Sequence, residues 1–69
     1  MKKHMEKWEI LCSMREESGM TRKEFAEYFG IPYSTVTDWE LGKREMPGYV
    51  LRLLAYRLNI EGYIKKNLE

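Results

Sequence analysis

Apolar residues recur along this chain at helical spacing and nowhere alternate with period two, so the pattern predicts helices and no strand. Trp8, Leu11, Cys12 and Met14 share one face of a segment from about Met5 to Ser18, and Gly19 follows where left-handed backbone closes a helix. Thr21-Arg22-Lys23-Glu24 has capping-box spacing and starts a second helix at Thr21. Phe25, Ala26 and Phe29 form its apolar face, and Gly30 ends it. A third helix runs from Tyr33 to Leu41 with Val36 and Trp39 inward and Gly42 as its stop, after a turn of Gly30, Ile31 and Pro32. Pro47 opens a fourth, to about Leu58 or beyond, at the first helical position, where a missing N–H costs nothing. Residues 59–69 fit three readings: more of the fourth helix, a short fifth helix, or a strand in a dimer.

Sixty-nine residues leave room for one domain, 1–69, and exclude a two-domain enzyme. With 43% hydrophobic and 33% charged residues the chain reads as globular, yet a domain this small leans on tight helix packing or on a partner. Twelve basic side chains against eleven acidic ones give no global field toward nucleic acid or membrane, so any attraction must be local. The basic start, Lys2, Lys3, His4 and Lys7, precedes no apolar run and so reads as neither signal peptide nor anchor. Cys12, the single cysteine, fits a reducing cytoplasm. One histidine, no phosphate loop and no metal-ligand spacing leave an enzyme or a cofactor without support.

Two short helices joined by a glycine turn, between two longer ones, form the layout of a DNA-binding helix-turn-helix. Two charges reinforce it. Arg15 lies about 40° from Leu11 and about 20° from Trp8 on helix one, and Glu40 lies between Val36 and Trp39. Both would be buried, and buried charges are tolerated mainly when paired, so Arg15 and Glu40 are predicted to form an ion pair locking helix one to helix three.

The run from Arg15 to Arg44 resembles the phage-repressor, or xenobiotic-response-element, family of regulators, and the likeness extends over about Leu11 to Leu58. It is carried by Ala26 in helix two, Gly30 in the turn, Val36, and the close Trp39-Glu40-Leu41-Gly42-Lys43. The resemblance implies an all-α, four- to five-helix lambda-repressor-like fold and the same Arg15–Glu40 contact. It implies that the N-terminal half of helix three enters the major groove, which makes Tyr33, Ser34, Thr37 and Asp38 the candidate base readers. Their chemistry suits the role, since hydroxyls donate or accept, Tyr33 and Thr37 can touch a thymine methyl, and Asp38 can accept from a cytosine amine. By the same resemblance Arg22 grips a phosphate at the start of helix two, with Lys43 and Arg44 clamping the backbone on the other side.

Met20 to Met46 nevertheless holds four basic and five acidic residues, so Glu24, Glu27 and Glu45 must face away from DNA and Lys2, Lys3 and Lys7 are candidate helpers. The fourth helix has two apolar faces: Leu51, Leu54, Ala55 and Leu58 for the core, and Tyr49, Leu53, Tyr56, Ile60 and Tyr63 about 180° away, predicted to pair with a second copy. A sequence-specific duplex-DNA-binding regulator, acting as a repressor and a homodimer, is the leading reading. A protein-interaction module on the same fold, such as an antitoxin holding a protein partner, is the alternative.

Overall fold

The computed structural model describes residues 5–65 and contains, among them, four helices and no strand. These are α1 (Lys7–Ser18), α2 (Arg22–Phe29), α3 (Tyr33–Glu40) and α4 (Gly48–Ile60). Lys2, Lys3 and His4 lie outside the described residues.

Local chemistry sets each boundary. At α1 the Glu6 amide donates to Glu9 Oε1 at 2.8 Å, which makes Glu6 the cap and starts the helix at Lys7, two residues later than the predicted start near Met5. Thr21 caps α2 as predicted: its hydroxyl accepts from the Glu24 amide at 3.1 Å while its own amide donates to Glu24 Oε1 at 2.9 Å. Gly30, at φ 71°, turns the chain so that the Ile31 amide reaches the Ala26 carbonyl at 2.9 Å. Pro47 stands just outside α4 as its N-cap, so the helix begins at Gly48, one residue after the predicted start.

The helices close over Leu11, Met14, Phe25, Ala26, Val36, Met46, Leu51, Leu54, Ala55, Leu58 and Ile64, all buried. Ala26 and Val36 are the small residues where α2 and α3 cross, and both lie in this core. Trp8, predicted to share the inward face of α1, is instead 43% exposed. It lies over Gly42, with its Cδ1 3.8 Å from where a Cβ there would stand.

Of the predicted tail, the first two residues extend the fourth helix, residues 61–65 form a turn that none of the three readings foresaw, and residues 66–69 lie outside the described residues. Asn59 and Ile60 still belong to α4, and then Gly62, at φ 84°, reverses the chain. The Tyr63 amide caps the Leu58 carbonyl at 2.8 Å, and Ile64 turns into the core at 5% exposure. Tyr63 packs edge-on against Tyr28, centroids 5.4 Å apart, and so leaves the continuous helical stripe predicted for it. Arg57 stacks 4.6 Å over the Tyr28 ring, and the Tyr28 hydroxyl donates to Glu61, which pins the turn to the end of α2.

Because Ile64 fills core volume that no helix supplies, Ile64→Ala is expected to destabilise the domain by about 2 kcal/mol or more. Urea titration followed by far-UV circular dichroism measures it, and a loss below about 0.5 kcal/mol would show the tail to be a surface appendage.

Candidate nucleic-acid interface

The predicted ion pair is present and is larger than predicted. Arg15 Nε donates to Glu40 Oε2 at 2.7 Å and its Nη2 donates to Oε1 at 3.2 Å, while its Nη1 reaches the Met20 carbonyl at 3.0 Å. Arg22 joins from the first residue of α2, its Nε donating to Glu40 Oε1 at 2.8 Å. The carboxylate side chain is fully buried, Arg15 is 15% exposed and Arg22 is 32% exposed. Burial on its own would raise the Glu40 pKa, but the hydrogen bonds and charges of the two guanidiniums outweigh it and hold the carboxyl below its ordinary value. The nearby Cys12 thiol moves the other way, raised first by burial and then by the Glu40 charge.

This cluster anchors α3 by its C-terminal residue and its inner face. Tyr33 and Ser34 are exposed on the helix, Tyr33 at 54%, and Leu41, predicted as its last residue but found as its C-cap, is 53% exposed. Asp38 is half-buried, and its carbonyl accepts from the Lys43 and Arg44 amides at 2.9 and 3.3 Å, closing the loop after α3. Thr37 departs from expectation: it is half-buried, and its hydroxyl oxygen lies buried without a hydrogen-bond partner among the described residues.

Lys43 and Arg44 project from the loop after α3, exposed, and make no side-chain hydrogen bond or ion pair with any described residue. Lys7, one of the candidate helpers, is committed elsewhere. Its Nζ pairs with Glu45 at 2.8 Å and donates to the Met46 carbonyl at 2.9 Å, tying the loop to α1.

On α4, Tyr49, Leu53, Tyr56 and Ile60 are 56–62% exposed and form one outward strip. Among the described residues the tail leaves these four uncovered, since its buried residue, Ile64, belongs to the core.

A family model described as helix-turn-helix matches residues 13–62, which includes α2, the turn, α3, the second half of α1 and all of α4. The chain therefore belongs to the helix-turn-helix family of phage-repressor-like domains, and its four helices fit the lambda-repressor-like fold. No curated protein and no solved structure matches the chain. Family membership supports a DNA-binding regulator. No helix among the described residues is long and apolar enough to cross a membrane.

The cluster has an asymmetric energetic consequence. Glu40→Ala strands the Arg15 guanidinium in the interior and is expected to cost about 3–5 kcal/mol, whereas Arg22→Ala leaves the carboxylate with Arg15 and is expected to cost about 1 kcal/mol. Thermal melts of the two variants decide this, and equal losses would contradict it. Since folding depresses the Glu40 pKa, its contribution is complete above the unfolded value of about 4.3 and is lost as pH falls from there through the folded value. The melting-temperature gap between wild type and Glu40→Gln should narrow progressively as pH falls below about 4.3, and a gap that does not change with falling pH would refute the linkage.

Proposed function

We propose that this protein is a sequence-specific duplex-DNA-binding repressor that acts in the cytoplasm by occupying its site as a homodimer and performs no catalysis. The observation that carries this reading is an exposed α3 face, Tyr33 and Ser34 foremost, followed in the chain by the cations Lys43 and Arg44, which are unpaired among the described residues. Tyr33, Ser34, Thr37 and Asp38 read bases, with Leu41 available to a thymine methyl, while Arg22, Lys43 and Arg44 hold phosphates. Thr37 needs a side-chain rotation to present its hydroxyl. That rotation breaks no hydrogen bond, because the buried hydroxyl makes none.

The second copy covers the α4 strip. Tyr49, Leu53, Tyr56 and Ile60 fall within about 60° on the helix, and a strip combining tyrosines with aliphatic residues suits an isologous contact. Tyr63, turned against Tyr28, is at most a rim contact. Two-fold pairing would set the reading helices about 34 Å apart, one DNA turn, as a palindromic site requires.

The acidic surplus between Met20 and Met46 favours a second reading, a protein-interaction module such as an antitoxin. Selection from randomised duplexes at low salt separates the two. Enrichment of one sequence is expected, and retention of none favours the interaction module. With the enriched duplex, Ser34→Ala is expected to change base preference. Lys43→Ala should weaken binding to all sequences and reduce the salt slope by about one. Sedimentation tests the dimer: Tyr56→Glu should run as an 8.3 kDa monomer where wild type runs at twice that mass, and a wild type that is itself monomeric at micromolar concentration would refute the pairing.

A further inference from the structure

The two arginines on Glu40 are not equivalent. Arg15 uses Nε, Nη1 and Nη2 within the protein, so its guanidinium is spent on the fold. Arg22 uses Nε alone: its two terminal amino groups meet no acceptor among the described residues, and its side chain is about twice as exposed. One carboxylate neutralises one guanidinium, which leaves the cluster with a surplus positive charge, and the more exposed of the two arginines is Arg22. A guanidinium is planar and rigid, so fixing Nε also fixes the plane and direction of the edge formed by its terminal amino groups, the edge that matches two phosphate oxygens. A flexible arginine loses rotamer freedom when it meets a phosphate, and one already held in place loses less.

We propose that Glu40 is a positioning residue for DNA binding: by holding Arg22 at Nε it presets the free edge of that guanidinium as a bidentate clamp for a backbone phosphate. The proposal rests on the DNA-binding reading above and adds to it a division of labour, with Arg15 as the buried strut and Arg22 as the presented cation. It also gives a physical reason for an arginine at this position rather than a lysine. An ammonium can pair with Glu40 or with a phosphate, but its compact charge cannot fix a planar fork between them.

The test measures affinity for the duplex retained by wild type, over a series of salt concentrations, for Arg22→Ala and Arg22→Lys, with thermal melts showing that each is folded. Arg22→Ala is expected to lower affinity about tenfold and to reduce the salt slope by about one. Arg22→Lys, though it keeps the charge, should lose at least half of that effect on a logarithmic scale. In the free wild-type protein the Arg22 Nε–H should give a nitrogen-15 relaxation signature as rigid as the helix amides, and in Glu40→Gln it should become more mobile. Arg22→Lys binding within about twofold of wild type, an unchanged slope in Arg22→Ala, or a mobile Nε–H in free wild type would each overturn the clamp while leaving DNA binding intact. Absence of any duplex binding by wild type at low salt would overturn both. Should a variant fail to fold, the relaxation measurement on wild type still decides the matter.

Discussion

A single carboxylate, buried where three helices meet, is the constraint on which the arrangement of α1, α2 and α3 depends. Glu40 is the last residue of α3, Arg15 belongs to the last turn of α1 and Arg22 opens α2, so the three side chains tie together three chain segments that hydrophobic contact alone would leave free to slide. Apolar packing is non-directional, whereas a carboxylate taking three N–H donors has fixed geometry. Taking these charges out of water carries a large desolvation penalty, and the cluster persists because nearly every polar atom of Arg15 and Glu40 finds a partner. Its return is definition of structure more than stability: α3 is held by its end and inner side, and its opposite face stays free.

The remaining elements serve that exposure. The left-handed Gly30 lets α2 and α3 approach at a sharp turn, and Ala26 and Val36 are small enough for the two helices to sit close on Phe25. Lys7, through Glu45 and the Met46 carbonyl, braces the loop that carries Lys43 and Arg44. Below them α4 and the returning Ile64 complete the core. A chain of this size has few further layers to offer, so one face of α4 remains apolar and in water.

Local placement, not net charge, governs the electrostatics. Glu24 is used to cap α2, Glu45 to hold Lys7, and Glu40 to pair with two arginines, so much of the acidic surplus in the helix-turn-helix segment is occupied within the protein. Lys43 and Arg44 are left without such partners among the described residues. A formal charge of +1 therefore conceals two cations, Lys43 and Arg44, that stand unpaired among the described residues in the loop following α3.

Much of this is legible in the sequence. The Thr21–Glu24 box, the glycine stops and the apolar period mark the four helices, because each is a local signal carried by a few consecutive residues. Arg15 and Glu40 could be paired because each interrupts an apolar face where an unpaired charge is untenable. Arg22 gave no such signal, since at the first residue of a helix periodicity does not tell inward from outward, and only the approach of α3 brings the carboxylate to it. Tyr63 continues the spacing of the α4 strip in sequence, but Gly62 reverses the chain and sends Tyr63 to Tyr28 and Ile64 to the core. The exposure of Trp8, the inward hydroxyl of Thr37 and the commitment of Lys7 to the Met46 loop were equally hidden. Sequence determined the helices, their apolar faces and the charges that must be paired, because those follow from spacing along the chain. Tertiary structure alone decided which partner each charge takes and which apolar residues are covered, because those depend on distances between segments far apart in sequence.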